Sequence, residues 1–220
     1  MNVLIVGGTS GLGHELTKKF AEKGDSVTYT GRKPKDKSFQ RFEYLPIDLG
    51  TSEQHIGRLV MKLPEIDTFV FAAGYYQEGR IDELSTAQIR QMMEVGGMAL
   101  MVAMHELLKK QQALGELITI TSTSQWTPRQ AEPVYNFVKA GEAMFSNAMA
   151  EDGRVDKVLV AAPSGMKTAF WNGVERDDLD KMLDPAVVAE EIMKAREDEY
   201  RYKEIRILRQ PLRVEEVEKR

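Results

Sequence analysis

Ser122, Tyr135 and Lys139 are the residues of this sequence whose types and spacing suit acid–base chemistry as a group. Tyr135 and Lys139 are four positions apart, so on a helix they stand about one turn apart on the same face. Ser122 follows the apolar run Glu116 to Thr121, which reads as a strand, and precedes Tyr135 by thirteen residues. A carbonyl that accepts a hydride builds negative charge on its oxygen. A phenol with an ordinary pKa of about 10 can give that oxygen a proton, a neighbouring ammonium favours the ionised phenol and eases the transfer, and a serine hydroxyl can hold the oxygen in place. The same spacing recurs at Tyr29 and Lys33. Tyr29, however, falls in the predicted strand Ser26 to Thr30, where residues four apart lie about 13 Å from each other.

A second constellation supplies a place for the hydride donor. Between a first strand, Asn2 to Val6, and a helix over 11–23 marked by Leu12, Leu16 and Phe20 runs Gly7-Gly8-Thr9-Ser10-Gly11-Leu12-Gly13. Gly7 permits a tight turn, while Gly11 and Gly13 let backbone N–H groups approach a pyrophosphate at the helix N-terminus and let the helix pack close on the strand. Gly7, Thr9, Ser10, Gly11, Leu12 and Gly13 are therefore the expected cofactor loop. After the second strand, Thr30-Gly31-Arg32-Lys33 carries no carboxylate to bind the two ribose hydroxyls of NAD. Gly31 leaves space and Arg32 offers a guanidinium suited to a 2′-phosphate, so NADP(H) is expected in preference to NAD(H).

Short apolar runs alternate with longer amphipathic stretches along the chain, which is the rhythm of βαβ units. Further strands are predicted over Phe42–Pro46, Asp67–Ala72, Lys157–Ala161 and Glu204–Leu208, and further helices over 52–62, 86–110, 135–151 and 185–198. Thr51 with Gln54 and Ser85 with Gln88 fit capping boxes, and Asp184-Pro185 places an N-cap before a first-turn proline. The expected fold class is α/β, a three-layer, doubly wound parallel sheet of Rossmann type with about seven strands, in a single domain over 1–220. Residues 169–184, dense in charge and without a period, read as a substrate loop, and Val214 to Arg220 as a frayed tail. Gly7, Gly31, Asp48, Ala73, Ser122 and Pro163 each fall just past the carboxyl end of a predicted strand, where open α/β sheets bind ligands.

These motifs resemble those of the short-chain dehydrogenases/reductases over about residues 1–210, in the Gly7-x3-Gly11-x-Gly13 loop and the Ser122…Tyr135-x3-Lys139 group. The resemblance implies a reaction between nicotinamide and a carbonyl or secondary alcohol of a small molecule, with Tyr135 as general acid/base and Lys139 also contacting the nicotinamide ribose. It places Asp48 and Leu49 by the adenine, Ala72, Ala73 and Gly74 near the adenosine side, and Pro163, Met166 and Thr168 along the nicotinamide. It further implies a homodimer or homotetramer paired through the helices 86–110 and 135–151. Two departures stand out. The Asn-Asn-Ala-Gly of the family is Phe71-Ala72-Ala73-Gly74 here, and the asparagine that many members use in the proton relay is replaced by Gly96.

Composition narrows the partners. With 30 Lys+Arg against 34 Asp+Glu the chain carries −4 and no basic footprint, so nucleic acid is not expected. There is no cysteine for a disulfide or zinc site, and His14, His55 and His105 are too far apart for a local metal motif. No run approaches the ~20 apolar residues of a membrane span, so the expectation is a soluble, cytoplasmic protein. Tyr75 and Tyr76, the segment Gln125 to Glu132 with Trp126 and Arg129, and the segment Phe170 to Asp180 with Trp171 are the candidate substrate wall. Besides the reductase, two other classes fit the motifs: an NADP(H)-binding sensor of the same fold with little turnover, and an epimerase- or dehydratase-like relative.

Overall fold

The computed structural model describes residues 1–33, 42–50, 53–171 and 177–220. Thr51 of the expected capping pair and residues 172–176 of the expected substrate loop lie outside them. Eight strands form one sheet: β1 (Asn2–Val6), β2 (Ser26–Gly31), β3 (Glu43–Pro46), β4 (Thr68–Phe71), β5 (Leu114–Ile120), β6 (Val155–Pro163), β7 (Tyr202–Leu208) and β8 (Arg213–Lys219). Their order is β3-β2-β1-β4-β5-β6-β7-β8, with every neighbouring pair parallel except β7 and β8. The chain winds outward in one direction from β1 to β3 and in the other from β4 onward, so the switch point lies between β1 and β4.

Six helices cover the two faces: α1 (Gly11–Glu22), α2 (Glu53–Val60), α3 (Thr86–Met93), α4 (Ala99–Gln111), α5 (Pro133–Glu151) and α6 (Pro185–Ala195). The strands are apolar at successive positions because both faces are covered. Leu4, Val6, Phe69, Phe71, Val158 and Val160 pack under α2, α4 and α5, whereas Val3, Ile5, Val70, Leu159 and Ala161 pack under α1 and α6. The Ser85–Gln88 capping box opens α3, and the Asp184 side chain accepts from the Ala186 N–H at 2.8 Å to open α6. No helix among the described residues is long and apolar enough to cross a membrane.

Two expectations are corrected. The single helix expected over 86–110 is interrupted between α3 and α4 by a π-turn over Glu94–Met98, which holds Gly96 and Gly97. The expected frayed tail is β8, an antiparallel edge strand paired with β7 and tied by the ion pairs Lys203–Glu216 and Arg220–Glu151. Its sequence RVEEVEK hides it: on an edge with most side chains exposed, nothing enforces apolar alternation, and charge there discourages further strand pairing.

Candidate active site

One cavity of about 670 Å³ lies along the carboxyl ends of the parallel strands. The candidate catalytic and cofactor residues read from the sequence line it: Gly7, Thr9, Ser10, Gly11, Leu12, Gly13, Arg32, Asp48, Leu49, Ala72, Ala73, Gly74, Ser122, Tyr135, Lys139, Pro163, Met166 and Thr168; of the candidate substrate wall, Tyr76 does not. The glycine turn is packed backbone against backbone. A Cβ on Gly7, whose φ is +92°, would stand 2.6 Å from the Ala73 amide nitrogen, and one on Gly13 would stand 2.2 Å from the Gly7 carbonyl oxygen. That contact explains why positions 7 and 13 carry no side chain. Ser10, the N-cap of α1, has an extended backbone; its carbonyl accepts from the His14 N–H at 3.2 Å, while its hydroxyl caps none of the first-turn N–H groups. Gly11, at φ +54°, faces Thr168, whose Cγ2 would lie 3.2 Å from an added Cβ. The segment after β6 thus reaches back to the glycine turn.

At the end of β2, Gly31 touches Thr9: an added Cβ would meet the Thr9 Oγ1 at 2.1 Å. No side chain fits at position 31 beside this threonine. The next residue, Arg32, is exposed and lines the cavity. Asp48 accepts from the Gly50 N–H at 3.1 Å, in a turn after β3.

Ser122 ends the β5 segment and caps a short 3-10 turn, accepting from the Ser124 N–H and donating to the Ser124 Oγ, both at 3.2 Å. Its hydroxyl also favours the ionised form of the Tyr135 phenol, which stands in the first turns of α5. Tyr135 is 8% exposed and boxed by rings: Tyr76 edge-on at 5.2 Å and Phe170 at 6.1 Å, with Trp171 against both Tyr76 and Phe170. Trp171 is fixed by donating from Nε1 to the Met166 carbonyl at 2.9 Å. Trp126 lies apart from this box, under the Arg206 guanidinium at 4.0 Å.

The electrostatics differ from the sequence expectation. Lys139 was expected to draw Tyr135 toward ionisation. Instead its Nζ donates to the Glu142 carboxylate at 2.7 Å and to the Ile120 carbonyl at 3.1 Å, and lies 5.7 Å from the Tyr135 ring centroid. Burial first, then the carboxylates of Glu142 and Glu132, push the Tyr135 phenol well above the ordinary tyrosine range, against the Ser122 hydroxyl and the Arg129 charge. The phenol is held protonated, poised as a donor.

Arg129 is half-exposed but already engaged by protein groups. It donates to Glu132 at 3.0 Å, to the Thr123 hydroxyl at 2.9 Å and to the Ser124 hydroxyl. Glu132, 8% exposed just before α5, also accepts from the Tyr76 hydroxyl at 3.2 Å and the Ser124 hydroxyl at 3.0 Å. Asn136 ties the same loop down by donating to the Thr127 carbonyl at 2.8 Å. Sequence reasoning missed Glu132, Asn136 and Glu142. The one signal was for Glu142, which follows Lys139 by about one helical turn.

Comparison with known proteins yields consistent matches. The family model for short chain dehydrogenases matches residues 1–179. An uncharacterized oxidoreductase of Bacillus subtilis, YvaG, is 26% identical over 164 residues, covering 67% of this chain and 61% of the relative. A second from the same organism, YxjF, is 25% identical over 174 residues, covering 72% and 67% respectively. Among solved structures, a short-chain dehydrogenase/reductase from Vibrio parahaemolyticus superposes with a TM-score of 0.80 at 24% identity, covering 94% of this chain and all of that one. A serine dehydrogenase in a closed form with NADP+ gives 0.80 at 24% over 93% and 94%. A short-chain dehydrogenase from Sphingobium yanoikuyae, in complex with NADPH, gives 0.78 at 18% over 89% and 84%.

Proposed function

The chain belongs to the short-chain dehydrogenase/reductase family, and on that premise we propose that it is an NADPH-dependent oxidoreductase acting between a carbonyl and a secondary alcohol of a small molecule. What carries the reading is the convergence in one cavity of the glycine turn and the Ser122–Tyr135–Lys139 group. The cradle fits a dinucleotide: the glycines at 7 and 13 let the turn and α1 pack backbone against backbone, and α1 presents its N-terminus to the cavity. Preference for the phosphorylated cofactor rests on two residues. Position 31 has no room for a ribose-binding carboxylate beside Thr9, and Arg32 brings a charge to the 2′ side. The NADP+ and NADPH found in the two related structures agree with this preference.

When bound, the reduced nicotinamide supplies the hydride. The chain's residues do the rest. Ser122 holds the substrate oxygen beside the phenol, Tyr135 gives that oxygen its proton, and Lys139 at the base of the cavity holds the nicotinamide ribose. Tyr76, Phe170 and Trp171 exclude water around the phenol, and favour a substrate with an apolar or aromatic flank. Loss of NADPH that is one-for-one with loss of a carbonyl compound is the expected result of a substrate screen. Binding of NADPH without any coupled loss across aldehydes, ketones and quinones would favour the sensor reading instead.

We extend the proposal to self-association. Phe137 and Met144, 65% and 69% exposed on α5, and Met101, 40% exposed on α4, leave apolar area bare on the helical layer expected to pair. Sedimentation equilibrium should give a dimer or tetramer mass, and Phe137→Asp with Met144→Asp should give a folded monomer. A monomeric wild type at about 50 µM, a concentration at which a micromolar interface is formed, would contradict this.

A further inference from the structure

Glu142 is a buried carboxylate that the reaction as described leaves without a task. It is 1% exposed, and its Lys139 partner 3%. One oxygen takes the Lys139 bond at 2.7 Å, while Oε1 is buried with no hydrogen-bond partner. A half-satisfied carboxylate among apolar side chains is costly, and an apolar residue would pack there without that cost.

Oε1 faces the π-turn. A Cβ on Gly96 would stand 2.9 Å from Oε1 and 2.3 Å from the Val138 Cγ1. Gly96 holds the position at which the family resemblance places a relay asparagine. Glycine at 96 and glutamate at 142 are therefore complementary: the carboxylate, reaching from α5, stands against the volume that a side chain on the π-turn would take.

We propose that Glu142 is a positioning residue of this site, anchoring the Lys139 ammonium behind Tyr135 from α5 in place of the absent asparagine side chain, and setting a carboxylate against the lysine charge. The proposal rests on the oxidoreductase reading of the same cavity. Of the three N–H donors of Lys139, one goes to Glu142 and one to the Ile120 carbonyl, so the ammonium is fixed with its third donor remaining. An added Cβ on Gly74 at the cavity wall would lie 3.8 Å from Nζ, which places the ammonium at the cofactor side of the cavity.

Charge has a direction here. Four groups act on the Tyr135 phenol: Glu142 and Glu132 oppose its ionisation, whereas Arg129 and the Ser122 hydroxyl favour it. The one charged side chain acting on Glu142 itself is Lys139, against the effect of burial. Neutralising residue 142 removes a repelling charge and leaves the ammonium uncompensated, so Tyr135 ionises at lower pH.

The test is a pH titration of ζ-¹³C-tyrosine-labelled protein, with the Tyr135 resonance assigned by Tyr135→Phe. In Glu142→Gln the Tyr135 midpoint is expected at least about one pH unit below wild type, a tenfold change in its ionisation constant. Glu142→Met reads the same effect should the glutamine variant not fold, and Glu142→Asp, which keeps the charge, should stay near wild type. Because Tyr135 titrates well above the ordinary range, the comparison is its ionised fraction at a fixed pH of about 11, expected about tenfold higher in the neutral variants than in wild type; a fraction no higher than wild type overturns the proposal. Titration of the same proteins with NADPH keeps two failures apart. Wild type that binds NADPH with Tyr135 unmoved by Glu142→Gln overturns only the role of Glu142; a moved Tyr135 in a wild type that does not bind NADPH overturns only the oxidoreductase reading.

Discussion

Tyr135→Phe lowers turnover by about 10²- to 10⁴-fold, the range for loss of a general acid, while the affinity for NADPH changes by less than about threefold. The separation follows from what is removed. The ring stays between Tyr76 and Phe170, at 5.2 and 6.1 Å, and only the oxygen that meets the substrate goes. Folding should be little affected, because the ring packing is kept and a single hydroxyl contributes at most about 1 kcal/mol net. The raised pKa fixes the sign of the pH dependence. Protonated phenol is the donor for reduction, so Tyr135 causes no fall in the reductive rate up to about pH 10, the ordinary tyrosine pKa. The reverse reaction needs the ionised form and rises with pH over the same range. Initial rates of NADPH oxidation on both proteins from pH 6 to 10 check this, and a variant keeping more than about a tenth of wild-type turnover contradicts Tyr135 as the acid.

Gly13→Ala is expected to abolish NADPH binding, with at least about a hundredfold loss of affinity, and to destabilise the fold. Two effects oppose each other at this site. Alanine inside a helix is intrinsically better than glycine by about 1 kcal/mol. Yet its Cβ would stand 2.2 Å from the Gly7 carbonyl oxygen and 2.9 Å from the Gly7 carbonyl carbon, and backbone yields less readily than the end of a side chain. Overpacking of this kind costs about 1–3 kcal/mol, and relief requires α1 or the Gly7 turn to move. Either movement displaces the N–H groups from a bound pyrophosphate. Nucleotide titration and thermal melting measure the two consequences, and a variant with wild-type affinity and a raised Tm would show that the glycine turn is not packed as described.

Most of this architecture was legible because a doubly wound sheet writes itself in simple signals. Apolar runs such as Asn2–Val6 and Lys157–Ala161 mark strands buried on both faces, and the expected ends fall within about two residues of the observed ones, the usual spread of strand boundaries. The cofactor loop was legible because close backbone approach between Gly7, Gly13 and Ala73 admits only small residues, a constraint visible as letters. What escaped was set by tertiary contact. β8 carries no apolar period because it is an exposed edge. The π-turn at Glu94–Met98 leaves a continuous helical pattern on either side, and two glycines do not say which kind of irregularity they permit. Glu142 looks like a surface charge on a helix, and only the packing of α5 against β5 and the π-turn buries it; Glu132 looks like a loop charge, and only its bonds to Tyr76, Ser124 and Arg129 hold it inside. The sequence therefore pointed to Tyr135 in the cavity while misjudging its electrostatics, since the motif shows the lysine but not the carboxylate that balances it.

The central claim, a nucleotide site reading a 2′-phosphate through Arg32, is tested most directly by titrating wild type and Arg32→Ala with NADPH and NADH, following nicotinamide fluorescence. The account predicts that wild type binds NADPH at least about tenfold more tightly than NADH, and that Arg32→Ala removes this difference by weakening NADPH alone, a loss of about 1.4 kcal/mol or more. Equal affinity of wild type for the two nucleotides, or a preference that survives in Arg32→Ala, would contradict it.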